Sequence, residues 1–237
     1  MTYETLLENN RRWVDETLAR DPDYFRDLAA VHRPRFLWIG CSDARVPANV
    51  VTGTSAGEMF VHRNIANQVM PTDPNLLAVL QYAVEALGVR DVIVCGHQGC
   101  GGVQAALDGG APPPHVDGWL GSLRMVVRLH EEELAAIADP AMRARRLVEL
   151  NVREQIHNLA RTPVVQAAWA GGRELRLHGV VYRLEEGRLR DIGITMDGRS
   201  LAAVTSTTSA TAGGTPATPP APRERVASVA PEGDRPW

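Results

Sequence analysis

Phe36-Leu37-Trp38-Ile39-Gly40-Cys41 and Val92-Ile93-Val94-Cys95-Gly96-His97 are the two stretches from which the fold is read. The run Phe36 to Ile39 is apolar throughout and stops at Gly40-Cys41; the run Val92 to Val94 stops at Cys95-Gly96-His97. Runs apolar at every position, rather than at alternate ones, belong to strands buried on both faces, the environment of a central parallel sheet. Between them Asp73 stands where a helix needs an N-cap, and Pro74 stands at the first helical position. Leu76, Leu77, Leu80, Val84 and Leu87 then recur at helical spacing until Gly88 ends the segment. The order strand, helix, strand predicts a parallel pair joined by a right-handed crossover.

Working outward, Thr162-Pro163 opens a further short helix that Gly171-Gly172 closes. Leu175 to Tyr182 and Leu189 to Thr195, joined across Glu185-Glu186-Gly187, read as a hairpin. The stretch from Val116 to Leu159 carries periodic apolar positions, among them Leu120, Leu123, Val127, Leu134 and Leu147, and reads as core and interface packing. Helices before, between and after buried strands predict a three-layer α/β fold: a mainly parallel central sheet flanked by helices, with a C-terminal hairpin or edge strand. From about Ala202 the chain turns to Ala, Thr, Ser, Gly and Pro. Residues 1–202 are therefore expected to form the folded domain, and 203–237 a disordered tail.

The 237 residues are 44% hydrophobic and 22% charged, ordinary for a globular chain with a sizeable core. A net charge of -3, with basic residues that are all arginine and scattered, gives no electrostatic case for nucleic acid or an anionic membrane. Met1 to Arg20 is polar and amphipathic, unlike a signal peptide, and no apolar run is long enough to span a bilayer. Three cysteines, an odd number, do not suggest a disulfide framework. A cytoplasmic setting follows, in which thiols bind metal or are buried.

Cys41, His97 and Cys100 carry the chemistry. Two thiols and an imidazole suit Zn²⁺, and three protein ligands leave a fourth position for reaction. Cys41 and His97 each sit just past a predicted central strand, so segments far apart in sequence converge where open α/β sheets bind ligands. Cys100 follows His97 by three residues, which one turn brings to the same side. Gly96, Gly99, Gly101 and Gly102 surround them, as expected where backbone passes close to a metal. Cys95 ends an apolar run and reads as buried rather than ligating. Asp43 is the better candidate for an exchangeable fourth ligand, with Arg45 two residues on as its partner. The histidines at 32, 62, 115, 130, 157 and 178 lack ligand spacing.

Cys41-Ser42-Asp43-Ala44-Arg45 followed by His97-Gln98-Gly99-Cys100-Gly101-Gly102 resembles the Cys-x-Asp-x-Arg and His-x-x-Cys motifs of the β-class carbonic anhydrases. The likeness runs from the first helix to about Thr195 and includes Phe60-Val61-His62-Arg63-Asn64 between the motifs. It implies one Zn²⁺ per chain and reversible hydration of carbon dioxide to bicarbonate and a proton. The agent is zinc-bound hydroxide oriented by Asp43, itself paired with Arg45. It further implies a homodimer or homotetramer with active sites near the subunit interface. In a bicarbonate-regulated subset the aspartate moves from arginine onto zinc, and the residues of the regulatory site are matched here by Trp38, Arg63 and Tyr182. Membership of that subset implies activity that collapses steeply on acidification. Two other classes fit the same motifs: a zinc hydrolase acting on carbon disulfide or a similar small electrophile, and a catalytically silent structural zinc module.

Overall fold

Leu37, Ile39, Val92 and Val94 are each at most 1% exposed, and their burial makes the two decisive apolar runs neighbours at the centre of one sheet. In the computed structural model, which describes residues 1–199, the strands are β1 (Phe36–Cys41), β2 (Met59–Asn64), β3 (Asp91–His97), β4 (Arg176–Arg183) and β5 (Arg188–Met196). Their order is β2-β1-β3-β4-β5. The first three neighbouring pairs are parallel and β4–β5 is antiparallel, so the mainly parallel sheet with a C-terminal hairpin is as expected. The tail expected over 203–237 lies outside the described residues.

Ten α-helices accompany the strands among the described residues. They are α1 (Tyr3–Arg20), α2 (Tyr24–Ala30), α3 (Ala48–Thr52), α4 (Pro74–Gln81), α5 (Gly101–Asp108), α6 (Pro114–Trp119), α7 (Gly121–Leu129), α8 (Glu131–Ala135), α9 (Pro140–Ala160) and α10 (Pro163–Ala170). The Asp73 carboxylate accepts from the Asn75 N–H at 2.9 Å, capping α4 before Pro74, and a π turn over Tyr82–Ala86 carries the segment to Gly88. Thr162 likewise caps α10 through its hydroxyl, and Gly187 turns the hairpin at φ 65°.

The link from β1 to β3 is longer than a single strand-helix-strand unit, because β2 intervenes and pairs with the outer side of β1. His62, Arg63 and Asn64 interrupt its apolar pattern, as an edge strand tolerates. The helices are also shared unequally between the two faces. One face carries a large cluster that includes Leu37, Val92, Leu147, Val152, Ile156 and Leu177. The other holds a small cluster of Trp38, Ala48 and Cys95, with Val51 of α3 and Tyr182 packed against it. The long α9 seats tightly on the larger face because two strand residues lack side chains. A Cβ at Gly96 would fall 2.7 Å from Val152 Cγ2, and one at Gly179 would fall 3.0 Å from Val152 Cγ1.

Candidate metal centre

Parallel pairing in register, Gly40 opposite Cys95, brings the carboxyl ends of β1 and β3 side by side. Cys41 is the last residue of β1, His97 the last of β3, and Cys100 the residue that precedes α5. One donor atom from each lies within 4.8 Å of the other two, and the residues are 7%, 1% and 5% exposed. The two Sγ atoms are 4.0 Å apart. Tetrahedral coordination with Zn–S bonds of about 2.3 Å places two sulfurs roughly 3.8 Å apart, so the pair needs almost no adjustment.

His97 Nδ1 lies 3.0 Å from the Gln98 carbonyl oxygen, which can only accept. The proton therefore sits on Nδ1, and Nε2 presents its lone pair. That Nε2 is buried and has no hydrogen-bond partner among the described residues. An unsatisfied buried polar atom costs about 1–3 kcal/mol, a cost that a bound cation removes. The Cys100 thiol beside it holds the Cys41 thiol well down against the opposing effect of burial. The same contact and burial push Cys100 well up. The backbone groups of Asp43 and Ala66 also favour the Cys41 thiolate, and those of Gly102 and Val103 favour the Cys100 thiolate. The donor set and its spacing fit Zn²⁺. Cys95 does not join it: burial pushes its thiol up, its Sγ lies 3.2 Å from the Gly96 carbonyl, and it packs with Trp38.

Asp43 follows β1 and faces the same space, its Oδ2 3.8 Å from His97 Nε2. Arg45 donates to it in a fork, Nε to Oδ1 at 2.9 Å and Nη2 to Oδ2 at 2.7 Å, and the Arg45 backbone N–H donates to Oδ1 at 2.9 Å. This guanidinium, against a smaller cost of burial, holds the Asp43 carboxyl well below the usual carboxylate range. Arg45 Nη2 also donates to the Gly99 carbonyl at 3.2 Å, tying the first motif to the second.

Trp38, Arg63 and Tyr182 divide between two tasks. Trp38 and Tyr182 share the smaller apolar cluster, and Trp38 Nε1 is buried with no hydrogen-bond partner among the described residues. Arg63 turns to the metal centre instead, donating from Nε to the Cys41 carbonyl at 2.8 Å and from Nη2 to the Asp43 carbonyl. It braces the backbone on both sides of Ser42.

The turn after β2 escaped the sequence reading. Ala66 and Asn67 both adopt positive φ, 61° and 46°, which alanine rarely does. Asn151 of α9 donates to the Ala66 carbonyl at 3.1 Å, Gln68 donates to the same carbonyl and to Asn151, and Gln155 accepts from the Val69 N–H at 2.8 Å. This buried amide network holds the turn whose Ala66 backbone serves Cys41. No glycine marks the turn, so composition offered no signal. The glycines near the candidate ligands have further tasks: Gly96 makes room for Val152, Gly99 supplies a positive φ of 68°, Gly102 makes room for Ala66 and Ile65, and Gly101 has open space.

Comparison with known proteins agrees with this geometry. The family model for carbonic anhydrase matches residues 36–189. A carbonic anhydrase of Emericella nidulans is 47% identical over 200 residues, covering 83% of this chain and 86% of the relative. Among solved structures, one of two tetrameric β-carbonic anhydrases from Sordaria macrospora superposes with a TM-score of 0.79 at 40% identity, covering 82% of this chain and 98% of the other. A Coccomyxa β-carbonic anhydrase in complex with acetazolamide gives 0.80 at 32% identity, covering 90% and 99%. Two buried thiols and an imidazole with an unshared lone pair, set at the strand ends of a fold matched over most of its length, place this chain in the β-carbonic anhydrase family.

Proposed function

We propose that the chain catalyses the reversible hydration of carbon dioxide to bicarbonate and a proton, with one Zn²⁺ per chain held by Cys41, His97 and Cys100. The observation that carries this reading is the buried, unpartnered Nε2 of His97 aimed into the space shared by two thiols. Zinc there supplies the Lewis acidity that lets water lose a proton near neutral pH. Asp43, kept ionised by Arg45, is an acceptor only. It therefore holds the hydrogen of the attacking oxygen at Oδ2 and leaves a lone pair directed at the carbon of CO₂. Arg45 fixes that carboxylate by its fork and by its bond to Gly99, and Arg63 fixes the backbone that carries it. Stopped-flow assays on zinc-loaded enzyme, with CO₂ and carbon disulfide as rival substrates, test the reading. Accelerated CO₂ hydration is expected; full zinc occupancy without it would sink the proposal.

The free thiols suit a reducing compartment, and we place the enzyme in the cytoplasm. No helix among the described residues is long and apolar enough to cross a membrane. A homodimer or homotetramer is supported by the apolar side chains that α1 leaves exposed, Tyr3, Leu6 and Trp13 at 71%, 54% and 45%. Light scattering on the purified protein gives the number of chains.

A regulatory reading is favoured by Trp38. Its Nε1 is a buried donor without an acceptor, and a Cβ at Gly40 would stand 2.3 Å from it. Bicarbonate binding beside Trp38, Arg63 and Tyr182 would supply the acceptor and draw Arg63 from the Asp43 carbonyl. With its backbone released, Asp43 would leave the Arg45 fork and reach the metal as a fourth ligand. Added bicarbonate should inhibit wild-type turnover and inhibit Trp38→Phe less; equal inhibition of both would contradict this site.

A further inference from the structure

A cavity of about 330 Å³ is lined by Arg45, Gln98, Gly99, Arg145, Leu184 and Glu185, among others. It shares Arg45 with the metal centre and includes none of Cys41, Asp43, His97 or Cys100. Arg45 commits Nε and Nη2 to Asp43 and Gly99, while its Nη1 makes no hydrogen bond among the described residues. Among the described residues the second guanidinium, Arg145 of α9, meets only Glu185, at 3.5 Å, and the two side chains are 43% and 83% exposed. Such an exposed pair is weak and exchangeable. Two guanidiniums, one weakly engaged and one with an idle N–H face, converge on a concave space large enough for a small oxyanion. Guanidinium forks match carboxylate and phosphate oxygens in geometry and charge.

We propose that this cavity is a binding site for a small oxyanion, best a dianionic phosphate, held between Arg45 and Arg145. The anion displaces Glu185 from Arg145 and, bound across the Nη1 and Nη2 edge of Arg45, competes with Asp43 for Nη2, so occupancy lowers turnover. The second half rests on the role given to the Asp43–Arg45 pair; the binding half does not. It makes the cavity a place where the anion composition of the surroundings reaches the reaction through one shared arginine.

The test is calorimetric titration of the zinc-loaded full-length protein with inorganic phosphate, beside stopped-flow hydration at the same phosphate concentrations. Arg145→Gln should weaken phosphate binding at least about tenfold, the loss of a charged hydrogen-bonding partner. Glu185→Gln should tighten binding, because it removes the carboxylate that competes for Arg145. Tyr182→Phe should leave phosphate affinity as in the wild type, which separates this cavity from the Trp38 region. Phosphate should inhibit turnover in the wild type and less in Arg145→Gln. Equal affinity in wild type and Arg145→Gln would overturn the site. The expected binding pattern without any loss of turnover would overturn the competition for Arg45. Intact binding in an enzyme with no hydration activity at all would contradict the proposed function and support the site.

Discussion

The two ends of β3 are built from nearly the same parts, yet among the described residues only one carries a group of side chains that could hold a metal. At the carboxyl end Asp43 is forked by Arg45 with a histidine nitrogen 3.8 Å away; at the amino end Asp91 is forked by Arg176 at 2.7 and 2.9 Å with a histidine nitrogen 2.9 Å away. At the amino end the imidazole is used up: His178 bonds Asp91 through Nε2 and reaches Thr195 Oγ1 at 3.2 Å through Nδ1. At the other end His97 is buried, spends one nitrogen on a carbonyl and keeps the second unbonded beside two thiols. Cavity size does not make the distinction, since a space of about 490 Å³ lined by Arg173, Glu174 and Arg176 lies at the amino end. What separates the candidate metal centre from a structural ion cluster here is an unsatisfied nitrogen kept dry beside two thiols.

The sharpest way to break this contrast is to remove one histidine at each end. His97→Ala should reduce zinc from one equivalent per chain to none and hydration to the uncatalysed rate, whereas His178→Ala should keep its zinc and its turnover. Metal analysis and stopped-flow on both variants decide it; zinc loss in His178→Ala would undo the contrast. Next come the two aspartates. Asp43→Asn should lower kcat by roughly 10²–10³-fold while retaining zinc, because an amide can no longer act as a pure acceptor. Asp91→Asn should leave kcat unchanged and alter the pH dependence of stability instead. Burial pushes the Asp91 carboxyl up, but its bonds to Arg176 and His178 outweigh that and hold it below its ordinary value. A carboxyl depressed in the folded state stabilises above its unfolded pKa and loses that contribution as pH falls through the folded value. Urea midpoints should therefore drop below pH about 4 by more in the wild type than in Asp91→Asn.

Smaller effects sharpen the account of what supports the ligands. Asn151→Ala breaks the amide network that steadies Ala66, and zinc affinity measured against a competing chelator should weaken by about 10–100-fold. Smallest of all is the glycine series. Gly96→Ala drives a methyl into Val152 and Val148 and should cost about 1–3 kcal/mol in unfolding titrations. Gly99→Ala, at positive φ, should cost about 1 kcal/mol, and Gly101→Ala, with open space, should be close to neutral.

The contrast also explains what was legible in the chain. Cys41, His97 and Cys100 could be read because unbroken apolar runs locate strand ends, and strand ends in a parallel sheet converge. Asp73-Pro74 and Thr162-Pro163 announced their helices because caps act locally, through bonds within one turn. β2 was missed because an edge strand admits polar residues, and the Ala66 turn because Asn151 and Gln155, more than eighty residues on, impose its conformation. Arg63 was visible as a candidate, but only the fold shows that it braces the Cys41 and Asp43 carbonyls. Long-range polar networks leave no periodicity to read.

The central claim, that three particular side chains and no other thiol form the metal centre, is tested most directly by zinc-edge X-ray absorption on the loaded enzyme, wild type and Cys95→Ala. Both should give two sulfurs at about 2.3 Å and one imidazole nitrogen at about 2.0–2.1 Å, with a light atom completing the shell. A third sulfur in the wild type that vanishes in Cys95→Ala would contradict it.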